Sequence, residues 1–517
     1  MTPHNSNLRV FIAVLFVMRA LAASQPPVIL VSIDTLRADH LSAYGYSKIR
    51  TPNIDAFADH GTVFRAIDSQ IPLTLPSHTC LFTSTYPFEN GVEENAEIVP
   101  AGLVTLASVL QRRGYRTGAF VGSDLLGQRY GLDKGFDVYD SPFRASANEA
   151  ENPYDVRVRR DAALVVRSAI QWLNTPSAKP PFAFLHFFDL HSPYSAASPN
   201  KLQPNEVGYD AEIEYVDRVM SRLRNELVKS GIWDRALVVV LADHGESLSD
   251  HGETSHGYFI YQSTLWVPLL IHWPADAQAM PAEVSEPAGL IDVAPTILDF
   301  LHVPQPGTFR GISLLKTGAR HSVYSETVYA RDAFGWSALR SLRAGPFKYI
   351  DAPAAELYDI KTNPREDKNA IQSHFAEART LRNELRGLLA NAAKPTAAVK
   401  QDSSAATVNS LRSLGYLTGG SHEAVSGGGP DPKSRLPEYQ AYERGLEALY
   451  DHRESQAVTI FQEVIARDSQ NNIARYYLGE AYLRLQRRDD AIREWKAALR
   501  QDPKYAAAAE AIQKVSH

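Results

Sequence analysis

Val28-Ile29-Leu30-Val31-Ser32-Ile33-Asp34 decides the fold: a short apolar run that ends abruptly in a carboxylate. A continuous apolar run of this length suits a strand covered on both faces, as in a parallel sheet flanked by helices. Four further runs read the same way: Gly118–Val121, Phe182–Phe188, Ala236–Leu241 and Val267–His272. Between them, Val104–Arg113 and Glu214–Lys229 carry helical periodicity. Alternation of this kind predicts an α/β fold with a doubly wound sheet. In such sheets the chemistry collects beyond the carboxyl ends of the strands. Asp34, Asp189 with His191, and Asp243 with His244 each follow the end of one of these runs.

The chain has 517 residues, more than one core usually organises at roughly 100 to 200 residues per domain, so two or three units are expected. Its 44% hydrophobic and 22% charged residues are those of a globular protein. The formal net charge of -6 gives no electrostatic reason to expect nucleic acid as a partner. At the N-terminus, Arg9 precedes the apolar stretch Val10–Met18, and Ala20-Leu21-Ala22 precedes Ser24. This pattern predicts a signal peptide over residues 1–23 and export, to a bacterial periplasm or the extracellular space. A bilayer span needs ~20 apolar residues and Arg19 interrupts this run, so a membrane association that depends on an uncleaved segment is the weaker reading. Cys80 is the single cysteine, which rules out intramolecular disulfides and reads as a small buried hydrophobe.

Forty residues after Asp34 stands Thr74, in Ile71-Pro72-Leu73-Thr74-Leu75-Pro76-Ser77-His78. Ala242-Asp243-His244-Gly245-Glu246 follows much later, with Asp34–Leu41, Thr51–Ala58 and Leu290–Leu298 also in place. Together these segments resemble, in order, those of the sulfatase family of the alkaline phosphatase superfamily. Phe347–Ile350, Glu356–Asp359 and Asn363–Glu366 resemble that family's C-terminal subdomain. The resemblance covers about Pro27 to Leu389 and implies an alkaline-phosphatase-like sheet with a small C-terminal subdomain over residues 27–394.

Residues 395–437, with Gly419-Gly420 and Gly427-Gly-Gly-Pro430, have the composition of a flexible linker. Beyond them Gly445, Ala457 and Phe461 recur 34 positions later as Gly479, Ala491 and Trp495. This resembles two tetratricopeptide repeats plus a capping helix over residues 438–517, an all-α unit suited to a protein partner or to self-association.

The resemblance also implies a site. Asp34, Thr74, Asp243 and His244 would hold one divalent metal, which neutralises an anionic ester and activates a nucleophile. The competing reading is that the Asp243-His244 pair merely caps a turn. Thr35 stands where the family has a second carboxylate, which favours manganese or zinc over calcium. His191 and His256 are expected to bind ester oxygens or protonate the leaving group, and His78 to face the substrate in place of an arginine. His186 lies inside a strand and reads as structural. A second metal is the alternative suggested by the order Asp34, Thr74, Asp189 with His191, Asp243-His244 and His256. Against it, two-zinc relatives separate the Asp and His of the second site by four positions, not two.

Thr74 is the departure that matters most, because threonine cannot become formylglycine, the family's usual nucleophile. Ser123 likewise replaces a lysine that helps hold sulfate. These changes resemble threonine-nucleophile relatives that act on phosphate esters. The expected activity is hydrolysis of phosphate or phosphonate esters through a covalent threonine intermediate. The alternatives are a sulfuric ester hydrolase using threonine directly, and a catalytically silent scaffold that works through its repeats.

Overall fold

The computed structural model describes residues 25–95, 97–143, 159–194, 205–316, 318, 322–392, 400–401, 428–503 and 505–516. The expected signal segment 1–23 and most of the expected linker lie outside these residues. Val28–Ile33 is the centre of a nine-stranded mixed sheet. Every one of its side chains is buried, and it pairs in parallel with Pro181–Phe187 on one side and Leu237–Leu241 on the other. Beyond Pro181–Phe187 come Arg116–Phe120 and Val138–Asp140, both parallel.

On the other flank the sheet departs from a purely parallel arrangement. Trp266–His272 runs antiparallel to Leu237–Leu241 and to Thr62–Asp68. Thr62–Asp68 has no continuous apolar run to announce it: Val63 and Arg65 are only half-buried, and its register shifts between Phe64 and Ile67. It matters because it delivers the chain to Ile71 and the helix Thr74–Thr83, whose ten residues are all buried. Cys80 on that helix is buried and unpaired.

A second, antiparallel sheet of four strands, Val323–Thr327, Leu339–Ala344, Phe347–Asp351 and Glu356–Asp359, forms the C-terminal subdomain. The helix Phe375–Ala390 buries Ala378, Leu381 and Leu385 against Tyr324, Leu342, Tyr349 and Leu357 of that sheet.

The repeats fold as helix pairs, Leu436–Tyr450 with Glu454–Arg467 and Asn472–Arg484 with Arg488–Gln501, followed by Ala506–Ser516. The recurring glycines mark the crossing points. A Cβ on Gly445 would lie 2.6 Å from Phe461 Cε1, and one on Gly479 would lie 2.2 Å from Trp495 Nε1. Two corrections concern the linker. Its last part is docked: Ser337 Oγ donates to Gly429 O, and Lys433 Nζ donates to Ala354 O at 2.7 Å. Lys400–Gln401 pairs with Glu97–Ile98 of the unit built on the large sheet. The repeats pack on the rest of the chain, because one hydrophobic cluster joins Tyr258, Phe259, Phe334 and Trp336 to Tyr439, Tyr442 and Tyr477.

Candidate active site

Two strand ends and one helix start converge. Asp34 leaves the central strand, its amide held by Phe187 O at 2.9 Å, and Asp243 leaves the neighbouring strand after Leu241. Thr74 is the first residue of its helix and wholly buried, and its hydroxyl donates to Asp34 Oδ2 at 3.2 Å. The same hydroxyl is 3.5 Å from His244 Nε2. The sequence therefore brings Asp34, Thr74, Asp243 and His244 into one cluster. A helix N-terminus is also where an anion is favoured, since unpaired amides and the helix dipole point toward it.

Asp34 Oδ1 and Asp243 Oδ2 are buried and have no hydrogen-bond partner. Burial pushes the Asp34 carboxyl up, but the His186 hydrogen bond and the neighbouring imidazoles of His244 and His186 outweigh it and hold the group well below the usual carboxylate range. Burial and then the facing Asp34 charge push Asp243 well above that range. Two buried carboxylates with orphaned oxygens, beside an imidazole, are the donor set a divalent cation satisfies. Ligand atoms of Asp34, Asp243 and His244 lie within 4.8 Å of one another. His244 Nδ1 donates to Gly245 O at 3.0 Å, which leaves Nε2 as the acceptor facing the cluster. Burial, then the neighbouring His256, pushes His244 down to about 3, so the ring is neutral and able to ligate.

His191 and His256 form the opposite wall. Their ring centroids are 5.1 Å apart, and that of His256 is 4.4 Å from that of His244. Glu246 Oε1 accepts from His256 Nδ1 at 3.2 Å, while His191 stacks on Phe188 at 4.5 Å. Arg159 Nη1 donates to His191 O at 2.9 Å and its other terminal nitrogen to Ser192 O.

Three expectations are corrected. His78 does not face a substrate: it is fully buried beneath Thr74, with Nδ1 donating to Thr74 O at 2.7 Å and Nε2 accepting from Ser32 Oγ at 2.9 Å. It pins the backbone of Thr74. Asp189 is turned away, because its carboxylate accepts from the Ala162 amide at 3.1 Å and so caps the helix Ala162–Leu173. It is therefore not a second-site ligand. His186, read as structural, reaches the centre, with Nε2 donating to Asp34 Oδ2 at 3.2 Å. Ligand atoms of His78, His186 and Asp243 also lie within 4.8 Å of one another, but His78 spends both nitrogens on Thr74 and Ser32. The signal for His186 was a polar residue one position before the end of an apolar strand, in register with Ser32.

Such a sheet, with an acid, a hydroxyl and an Asp-His pair at its carboxyl edge, defines an ester hydrolase of the alkaline phosphatase type. The Sulfatase family profile matches residues 26–303, and the chain belongs to that family. The profile of the N-sulphoglucosamine sulphohydrolase C-terminal region matches 252–394, and a tetratricopeptide repeat profile matches 448–515. An N-acetylglucosamine-6-O-sulfatase of Bacteroides thetaiotaomicron is 24% identical over 468 residues, spanning 67% of this chain and 82% of the relative. Among solved structures, Ps i-CgsB superposes with a TM-score of 0.61 at 20% identity, over 72% of this chain and 94% of its own. The phosphonate monoester hydrolase of Agrobacterium radiobacter gives 0.59 at 21% identity, over 71% and 95%.

Proposed function

We propose that this sulfatase-family protein hydrolyses a phosphate or phosphonate ester with Thr74 as the nucleophile. The observation that carries the reading is the buried Thr74 hydroxyl between Asp34 Oδ2 and His244 Nε2, at 3.2 and 3.5 Å. Such a hydroxyl cannot supply the aldehyde hydrate on which ordinary sulfate hydrolysis in the family depends. Bound by Asp34, Thr74, Asp243 and His244, one divalent cation would neutralise the ester's charge and ease ionisation of a hydroxyl.

The remaining chemistry belongs to the side chains. The Thr74 hydroxyl, hydrogen-bonded to Asp34 Oδ2, loses its proton to solvent as Oγ1 bonds to phosphorus. The bond from phosphorus to the leaving oxygen breaks, and that oxygen takes a proton from His256, whose Nδ1 is held by Glu246 Oε1. Water then attacks the phospho-threonine, the phosphate departs and the Thr74 oxygen regains a proton. His78 keeps the Thr74 backbone fixed throughout, through its 2.7 Å hydrogen bond to the carbonyl. The Asn95 side chain accepts from the Leu75 amide at 3.0 Å and holds the next residue.

A sulfuric ester is the second reading, supported by the naming of the curated relatives as sulfatases. One preparation assayed on aryl sulfate, phosphate monoester, phosphate diester and phosphonate monoester separates the two. Phosphorus esters should turn over fastest, Thr74→Ala should be inactive, and quenched enzyme should carry a phosphoryl group on the Thr74 peptide. Turnover of sulfate alone, or wild-type rates from Thr74→Ala, would overturn the proposal. Export is proposed as well, and sequencing the N-terminus of the protein recovered from its host tests it.

A further inference from the structure

His256 lies on a loop whose backbone is held in unfavourable conformations. Leu248, Ser249 and His251 have φ of 52°, 76° and 54°, while Gly252 and Gly257 have 80° and 98°. Non-glycine residues keep such backbone only where their surroundings over-determine it. Part of the loop holds itself: the Glu253 carboxylate accepts from the amides of Tyr258 at 2.8 Å and Phe259 at 3.3 Å, closing the turn around His256. One side presses on the nucleophile's approach, where a Cβ on Gly257 would lie 3.1 Å from Leu73 Cδ2.

The other side is covered by the first repeat. Gln440 Nε2 donates to Gly252 O at 2.9 Å, and a Cβ on Gly252 would lie 2.8 Å from Leu436 Cδ2. The ring of Tyr439 stacks on that of Tyr258 at 4.0 Å and 9°, and Tyr258 Oη donates to Pro432 O at 2.7 Å. The repeat helices are engaged in turn by the catalytic unit. Phe334 meets Tyr442 at 5.5 Å, and Trp336 Nε1 donates to Asp468 Oδ2 at 3.3 Å. The face shared by the first helices of the two repeats thus packs on the chain's own segment around Phe334 and Trp336.

We propose that the repeat domain is an internal brace for the active site: Leu436, Tyr439 and Gln440 are positioning residues that fix the loop carrying His256 over Thr74. The partner of this repeat surface is the catalytic unit of the same chain. The inference rests on the role given to His256 in the proposed function. It explains why the helix Leu436–Tyr450 sits on the loop that follows the Asp243-His244 pair and not on a remote surface.

The test uses the full chain with Tyr439→Ala, Tyr439→Phe and Gln440→Ala, each also combined with His256→Ala. Tyr439→Ala should lower kcat on the order of tenfold or more, with KM moved far less, because misplacing a catalytic group by about 1 Å can cost a hundredfold. Tyr439→Phe keeps the stacked ring and should retain activity. In the His256→Ala background, Tyr439→Ala should change kcat by no more than about twofold, since coupled residues are non-additive. Amide exchange over residues 247–258 should accelerate in Tyr439→Ala. An equal loss in both backgrounds, or unchanged exchange over 247–258, would overturn the brace. Should Tyr439→Ala fail to fold, Gln440→Ala removes a single hydrogen bond and carries the same readouts. Should the wild type turn over none of the esters, the functional reading fails, and exchange over 247–258 still decides the brace.

Discussion

Glu246 Oε1 lies 3.2 Å from His256 Nδ1, and both side chains are almost wholly buried. The carboxylate fixes the imidazole with its Nδ1 hydrogen pointing at glutamate. Arg37 ties the same turn to the first strand, with Nη1 donating to Glu246 O at 3.1 Å and to Asp250 Oδ2 at 2.9 Å. Glu246→Gln keeps the shape but weakens this orientation. Its kcat should fall about 10- to 100-fold, as for other partners that orient a site group, with little change in melting temperature. Steady-state kinetics beside a thermal melt check this, and an unchanged kcat would remove Glu246 from the positioning of His256.

Metal removal should affect stability as well as turnover. Asp34 Oδ1 and Asp243 Oδ2 are buried without hydrogen-bond partners in a cluster whose ligand atoms lie within 4.8 Å of one another, and a cation that binds only the folded chain stabilises it. At about a hundredfold excess over Kd that linkage is worth about 2.7 kcal/mol. A chelated preparation should lose turnover and melt at lower temperature, with manganese or zinc restoring both better than calcium. Asp243→Asn should bind less than one equivalent by elemental analysis. A protein that purifies without stoichiometric metal and is indifferent to chelator would contradict this account.

Why the site was partly legible is a matter of where its signals lie. Asp34, Asp243 and His244 stand directly after apolar runs, so their place at the sheet's carboxyl edge follows from the chain's own pattern. His186 and Ser32 lie inside the runs, where a polar side chain usually reads as a satisfied core residue. Only the pairing of the two strands puts His186 beside Asp34. Asp189 shows the opposite error: it follows a strand but is taken by a helix N-terminus in space. The docking of the repeats had no local signal, since Tyr258 and Tyr439 are ordinary aromatic residues until the fold stacks them.

His78 gives the pH dependence a sign. Burial, then the nearby His186, pushes its pKa from 6.5 down to about 3. The unfolded chain therefore takes up a proton that the folded chain refuses. Stability from this group is intact above 6.5 and falls as pH drops from 6.5 toward about 3, by at most about 1.4 kcal/mol per pH unit for one proton. Urea melts of wild type at pH 7, 6 and 5 should show that decline. In His78→Gln, which is less stable at pH 7, the slope should be shallower. Parallel slopes in the two proteins would assign the dependence to other groups.

Gly479 should tolerate no side chain. Its α-carbon faces the buried Trp495, whose Nε1 donates to Tyr476 O at 3.0 Å, so the indole cannot swing aside without losing a hydrogen bond. In an open helix Gly→Ala would stabilise by up to ~1 kcal/mol through propensity alone. Here the added Cβ overlaps Nε1 at 2.2 Å, and overpacking of this kind typically costs about 1 to 3 kcal/mol. Because the second repeat joins the first in one cluster with Tyr439 and Tyr258, Gly479→Ala should lower the melting temperature of the whole repeat-bearing unit. Gly387, on the exposed helix of the C-terminal subdomain, has nothing within 4 Å of a built Cβ and serves as the control. Gly387→Ala should be neutral or stabilising by differential scanning calorimetry, whereas equal destabilisation at both sites would mean that helix crossing distance is not what selects glycine at 479.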